Sequence, residues 1–500
     1  MKICVKASSA CLMGLISLLA LTTAVLIARP GTVSGQDSSA VPSSQVERKN
    51  KAPVSSETLR VHLPKPVEVK LANGLTVLIL EDHRLPSVFA QLHIRDAGAL
   101  FEPANLSGLA SATAQMLREG THKRTSRQIA EELDRLGASV GAGANFGSVE
   151  TVFTASGLSE NFDDWFTVAL DILLHPSFPV AELNQLKERA KVQLRQQRSR
   201  PGFLAGERFN RAVFGSHPAA VVTATIDSID ALTPELLTQW HRQRYSPRDS
   251  VLAFAGDVYP SELLPKLKKS LANWNGTPDN EQMPPNPVPA SARKVYLVDR
   301  PNSVQTTLAL GNIAIDRRSE DFVPMVVMNH LLGGGPAARL FLNLREEKGY
   351  TYGAYSNFTA VEYPGPWSAG ADVRTEVTDG ALTEFFNEIR RIRDTQVSEA
   401  ELAATKRSVV ARFALALEQP AQLVGFAITR KLYNLPDDYW DNYPAKIAAV
   451  TAEDVQRVAR KYLNPEAMQI VAVGDGEKIK SILEKFGSIE IYGGDGKRLQ

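Results

Sequence analysis

Gly108-Leu109-Ala110-Ser111-Ala112-Thr113-Ala114-Gln115-Met116-Leu117-Arg118-Glu119-Gly120-Thr121 is the stretch on which the reading of this chain turns. It is a frame, Gly-Leu-Ala followed by Met-Leu-x-Glu-Gly-Thr, around five middle positions. Those five, Ser111 to Gln115, carry no imidazole, thiolate or carboxylate. Metal ions are held by such groups, and general acid–base chemistry uses them too. Ser111, Ala114 and Gln115 can do neither.

Outward from this stretch, the chain repeats itself. Thr233-Pro234-Glu235 leads through a helical pattern to Tyr245, Pro247 and the strand Val251 to Asp257, and Thr451-Ala452-Glu453 leads likewise to Tyr462, Pro465 and Ile470 to Asp475. The shared Thr, Glu, Pro, Gly and Asp are offset by 218 residues; only the Tyr slips by one. Ala181-Glu182-Leu183, Lys187, Pro201, Leu204 and Gly206 recur as Ala400-Glu401-Leu402, Lys406, Pro420, Leu423 and Gly425, offset by 219. A nearly constant offset over about 75 residues implies two homologous domains of about 210 residues each. Each half reads as strands, an amphipathic helix, more strands, several helices and a closing strand, which is an α+β plan. Apolar residues at three-to-four spacing predict long helices over Val180–Gln197 and Ser398–Glu418, and Ala72-Asn73-Gly74 between two strand-like runs predicts a hairpin.

In the second half, Leu331-Leu332-Gly333-Gly334-Gly335-Pro336 runs on through Arg339-Leu340-Phe341 to Arg345-Glu346-Glu347-Lys348-Gly349-Tyr350-Thr351-Tyr352-Gly353. Pro336 is read as a helix start, Gly349 as its end, and Tyr350 to Tyr355 as a following strand. The Gly run either lets a backbone come close or connects helices flexibly. No Gly-Lys-Ser/Thr follows it, which excludes a phosphate loop.

These segments resemble the insulinase, or pitrilysin, family of zinc peptidases, whose members carry the inverted motif H-x-x-E-H where this chain has Ser111 to Gln115. The resemblance covers about residues 65–480 and implies two mitochondrial-processing-peptidase-like domains in tandem. It places Arg195 at the third zinc ligand, with Glu188 at another acidic position two turns earlier. It also gives Arg345 and Tyr352 the role of a substrate-holding pair. A guanidinium fork suits peptide carbonyls or a carboxylate, and a phenol can donate to an oxyanion. Gly333, Gly334 and Gly335 join them as substrate-binding positions. The family's two-chain forms imply a noncatalytic subunit, with zinc in a homologous partner and none here, that binds extended peptides within a heterodimer. A scaffold without proteolytic role is the alternative.

Composition sets the compartment and the exclusions. Lys2, Lys6 and an apolar run from Ala10 to Ala28, then small residues to Gly35, read as an export signal. An uncleaved membrane anchor through residues 10–28 is the alternative, since about 20 apolar residues span a bilayer. A periplasmic location follows. The expected organisation is a signal over 1–35, a disordered tether over 36–58, a first domain over 59–274, a Pro-rich linker over 275–293, a second domain over 294–485 and a tail over 486–500. Loss of the signal moves the formal charge from +1 to −2, which excludes a nucleic-acid binder driven by basic excess. Both cysteines, Cys4 and Cys11, lie in the signal, so the mature chain has no disulfide and no cysteine nucleophile. Gly137-Ala138-Ser139-Val140-Gly141 matches a serine-hydrolase pattern in the wrong context, helix before and strand after. The eight histidines show no paired spacing and read as solitary.

Overall fold

A computed structural model describes residues 59–276 and 282–499. The signal and tether expected over 1–58, and residues 277–281 of the expected linker, lie outside the described residues. In the first half the strands are β1 (Val67–Lys70), β2 (Thr76–Glu81), β3 (Ser87–Arg95), β4 (Ser139–Gly143), β5 (Glu150–Leu158) and β6 (Val251–Gly256). They form one sheet in the order β1-β2-β6-β3-β5-β4. The second half supplies β7 (Lys294–Asp299), β8 (Gln305–Ile315), β9 (Thr351–Ala360), β10 (Pro364–Arg374), β11 (Gln469–Gly474) and β12 (Ser488–Tyr492), in the order β12-β7-β11-β8-β10-β9. In both sheets a parallel pair, β2 with β6 and β7 with β11, is continued by antiparallel strands. The repeated strands read from the sequence, β6 and β11, occupy matching central places, and both are buried along their whole length.

The helices match as well. The first half carries α1 (Leu109–Met116), α2 (Ser126–Arg135), α3 (Phe162–Leu174), α4 (Val180–Arg198), α5 (Pro201–Phe214), α6 (Ile226–Ala231), α7 (Pro234–Arg244) and α8 (Pro260–Ser270). The second carries α9 (Phe322–Gly333), the single turn α10 (Arg339–Phe341), α11 (Thr378–Asp394), α12 (Glu399–Ala416), α13 (Pro420–Leu432), α14 (Tyr443–Ala449), α15 (Ala452–Tyr462) and α16 (Gly476–Leu483). The repeated threonines are helix caps: Thr233 accepts from Leu236 N and Thr451 from Asp454 N, satisfying donors left open at a helix start. The predicted long helices are α4 and α12. The two halves are α+β domains of one design.

Each half lends a helix to the other's sheet. Along β3, Val88, Ala90, Leu92 and Ile94 are buried at period two on the face that meets the first half's own helices. On the other side of that sheet Val424, Ala427 and Ile428 of α13 close a core with Leu78, Leu80, Val251, Ala253 and Ala255. Reciprocally, α5 lies on β8 and β11. It comes so close that a Cβ at Gly311 would sit 3.0 Å from the Phe209 ring. The offset-219 residues Pro201/Pro420, Leu204/Leu423 and Gly206/Gly425 thus fall on the two helices that are exchanged.

Two boundaries differ from the sequence reading. Residues 488–492, expected in a tail, form the edge strand β12 beside β7. Its residues run from exposed through half-buried to buried with no period-two alternation, and pairing rather than patterning orders it. Residues 59–66, expected to open the first domain, pack on the second: Val61 and Leu63 join its core and Leu63 N donates to Asp441 Oδ1 at 2.9 Å. No helix among the described residues is long and apolar enough to cross a membrane.

Candidate functional site

The quoted segment folds as α1, entered through Gly108 in the left-handed region at φ 95°. Ala112, Thr113 and Ala114 are buried, and the Thr113 hydroxyl donates to Leu109 O at 2.8 Å. Ser111 and Gln115 share one helix face as an i,i+4 pair, and Gln115 Nε2 donates to Ser111 Oγ at 3.0 Å. The two positions where imidazoles would converge therefore bond to each other. Glu102 caps the start of α1, accepting from Gly108 N at 2.8 Å and Ala110 N at 2.6 Å. Burial pushes its carboxyl up to about 7, against the pull of those two bonds.

Arg195 is exposed in the last turn of α4. Glu188 is exposed too, 3.1 Å from Lys191, which also bonds Asp230. Neither is presented as a ligand. Among the described residues no group of three or more His, Cys, Asp or Glu side chains could hold a metal ion. The residues present do not fit zinc: a hydroxyl, a carboxamide, a methyl and a guanidinium stand at the four positions.

The second set lies elsewhere. The helix read as starting at Pro336 starts at Arg339, because Pro336 and Ala337 form a turn that Ala338 N closes onto Gly335 O. After α10 the chain widens into a π turn over Leu342–Glu347, where Lys348 N donates to Asn343 O, five residues back. Such turns are rare and concentrate at functional sites. The turn is anchored by Asn343, whose buried amide donates to Glu384 Oε2 and Glu388 Oε1, each at 2.9 Å. Arg339 holds it from the other end by a two-point pair with Glu401, both bonds at 2.7 Å. Gly349, at φ 63°, then reverses the chain into β9.

This local fold puts both candidate side chains in water. Arg345 is half exposed, its guanidinium 4.8 Å from the Phe341 ring centroid and 3.6 Å from Glu346. Tyr352 is 90% exposed, so it is not a packed strand aromatic. Gly333, Gly334 and Gly335 line a cavity of about 810 Å³. Gly333 has a packing reason to be glycine: a Cβ there would lie 2.3 Å from Ser356 N on β9. No hydrogen bond, ion pair or ring contact joins Arg345 or Tyr352 to Ser111, Gln115 or Arg195 among the described residues.

Other sequence readings resolve similarly. Ser139 of the hydrolase-like pattern lies in β4, entered from α2 through Gly137 at φ 61°, a Gly-ended helix feeding a strand. Not all the histidines are solitary: His83 sits between Asp257 and Glu81 at 2.6 and 2.8 Å, and His93 Nδ1 is 2.7 Å from Glu150. His241 packs against Phe178 and Tyr245 with Nε2 2.8 Å from Leu173 O, and burial lowers its imidazole to about 4. Neither the Asn343 anchor nor the Glu102 cap is legible in the residues, because the partners of Asn343 lie on another segment and Glu102 lies before the frame.

A family profile described as "Insulinase (Peptidase family M16)" matches residues 76–219, and one described as "Peptidase M16 inactive domain" matches residues 231–409. The chain belongs to the insulinase family. Among its relatives, the uncharacterized zinc protease YmxG of Bacillus subtilis (strain 168) is 25% identical over 295 residues, 59% of this chain and 70% of the relative. An uncharacterized zinc protease of Rickettsia bellii (strain RML369-C) is 25% identical over 359 residues, 70% of this chain and 84% of its own length. Among solved structures, a peptidase M16 inactive domain from Pseudomonas fluorescens superposes with a TM-score of 0.76 at 27% identity, covering 82% of this chain and 98% of that one. The periplasmic protease PqqL from Escherichia coli shares the fold, with a TM-score of 0.71 at 14% identity, over 85% of this chain and 48% of that chain.

Proposed function

We propose that this insulinase-family chain is the noncatalytic subunit of an exported two-chain zinc peptidase. One observation carries the reading: Tyr352 and Arg345 stand in water on a braced π turn and strand, while the helix that would carry the metal ligands holds none. In this reading zinc belongs to a homologous partner carrying an intact H-x-x-E-H. The present chain binds extended peptide and brings Arg345 and Tyr352 to the partner's centre, where a phenol donor and a guanidinium stabilise charge developing on the attacked carbonyl. The periplasmic protease among the structural neighbours is in keeping with export.

The test is reconstitution. The purified chain is mixed with an exported homologue bearing the full motif, and cleavage of an unstructured peptide is followed. The reading predicts no cleavage by this chain alone and hydrolysis on mixing. Full activity of the partner alone, unchanged by adding this chain, favours the scaffold alternative and overturns the paired role.

A further inference from the structure

Arg317 is the most unusual cation among the described residues. It follows β8, its backbone N donates to Val361 O, and the residue is only 6% exposed. Buried guanidinium groups are ordinarily matched by carboxylates, because an unpaired buried charge is costly. No carboxylate lies within 4 Å of this one among the described residues. Aromatic rings surround it instead: the Phe322 centroid at 3.8 Å, Tyr439 at 5.2 Å, Tyr433 at 5.8 Å and Trp440 at 5.9 Å. Ring faces offset part of the desolvation, yet they leave the N–H donors unserved. Among the described residues its one side-chain acceptor is the Tyr439 hydroxyl, 3.3 Å from Nη2. The remaining donors are not sealed in protein.

They open where two cavities meet. Arg317 and Phe322 line both the cavity of about 810 Å³ beside Gly333–Gly335 and a second of about 1060 Å³ beneath α14 and α15. Each reaches the upper end of small-molecule pockets, about 1000 Å³, so together they suit a chain of several residues. The first has apolar aromatic walls, and among the described residues its one cationic side chain besides Arg317 is Arg412, which is exposed and makes no ion pair with them. His330 also lines it, bonded to Ser408, and burial and then Arg412 lower its imidazole below the usual histidine value. The second adds Arg318 and Lys446 against Glu320 and Asp454, and Asp454 is already engaged with Thr451 and Arg457. Cations therefore exceed free acids. Tyr355 to Phe358 of β9, the open edge strand of the sheet, run along the first cavity and offer backbone pairing to an extended segment.

We infer that Arg317 anchors a subsite for a peptide carboxylate flanked by apolar side chains, with the aromatic box seating the neighbouring residue and β9 pairing with the backbone. The inference rests on the peptide-binding part of the proposed function and adds what the bound peptide must carry. The carboxylate can be a chain terminus or an acidic side chain.

Calorimetric titration of the full mature chain with three short probes decides it: N-acetyl-Phe-Phe as the free acid, the same dipeptide as its amide, and N-acetyl-Phe-Glu amide. The free acid is expected to bind at least tenfold tighter than its amide. A matching gain for the Glu probe assigns the site to any carboxylate, and its absence assigns it to chain termini. Arg317→Met should erase the preference. Because that residue is buried, Arg412→Gln serves as a second variant: it is exposed, should fold normally, and should leave most of the preference in place. Equal binding of acid and amide by the wild type, or a preference surviving Arg317→Met, overturns the subsite and leaves peptide binding standing. Failure of all three probes to bind overturns the subsite too, whereas the paired-peptidase reading falls only in the reconstitution experiment.

Discussion

The α1 corner of the first half and the π-turn corner of the second both lie on the connection into the edge strand of their sheet, β3 to β4 and β8 to β9, with α1 standing where the second half has α9 and the π turn where the first half has α2. They have been treated oppositely. At α1, Leu109, Met116 and the small side chains between them fill the buried face, and half-buried Ser111 and exposed Gln115 bond to each other. At the π turn, a buried amide, two carboxylates and a two-point Arg-Glu pair hold the backbone in an uncommon shape while Arg345 and Tyr352 remain in water. A braced turn that presents free polar groups is costly to keep for packing alone. The contrast teaches that a half without imidazole or carboxylate at Ser111, Ala114 and Gln115 stands beside a half whose turn is still braced.

The sharpest way to break this contrast is to rebuild the empty corner. Ser111→His with Gln115→His alone should leave zinc substoichiometric, because Ala114 and Arg195 supply neither base nor third ligand. Adding Ala114→Glu and Arg195→Glu should raise zinc affinity by about a hundredfold or more, read by metal analysis after dialysis. Tight zinc binding by the two-histidine variant would show that another residue of the chain supplies a third ligand.

Gly333→Ala probes the braced corner. The added carbon would meet β9 backbone that cannot move freely, so unfolding should cost about 1–3 kcal/mol less than for the wild type, seen as a lowered thermal midpoint. An unchanged midpoint would mean that the Gly run is a slack connection after all.

Glu102→Gln probes the other corner through pH. The Glu102 carboxyl is raised in the folded chain to about 7. Its neutral form therefore suits the fold, and its contribution is full below the unfolded value near 4.5 and is lost as pH rises through 7. In urea titrations at pH 4 and pH 8, the wild type should lose roughly 2–3 kcal/mol relative to the variant across that interval. Parallel pH dependence of the two proteins would place Glu102 in water. Smallest of all, Arg195→Ala should change stability by less than about 0.5 kcal/mol, as an exposed residue of a solvated helix end. A larger loss in the thermal midpoint would give Arg195 a structural role.

Much of this was legible in the residues, for identifiable reasons. The duplicated plan showed because the same side chains recur at one offset, and the structure explains their retention: they cap α7 and α15 and lie on the exchanged helices α5 and α13. The missing metal ligands could be read because zinc chemistry admits few residue types. Other features depend on distant parts of the chain. Nothing around Ile491 announces a strand until β7 is beside it, and nothing in Asn343 points to Glu384 and Glu388 on α11. Arg317 looks like any loop arginine next to Arg318; only the fold brings Tyr433, Tyr439 and Trp440 around it.

The most direct measurement is turnover of the reconstituted two-chain complex carrying Arg345→Ala and Tyr352→Phe in this chain. Both residues are exposed, so assembly and thermal midpoint should be those of the wild type, while turnover falls by about 10²–10³, the scale of a lost oxyanion donor. Wild-type turnover from that complex would contradict the account.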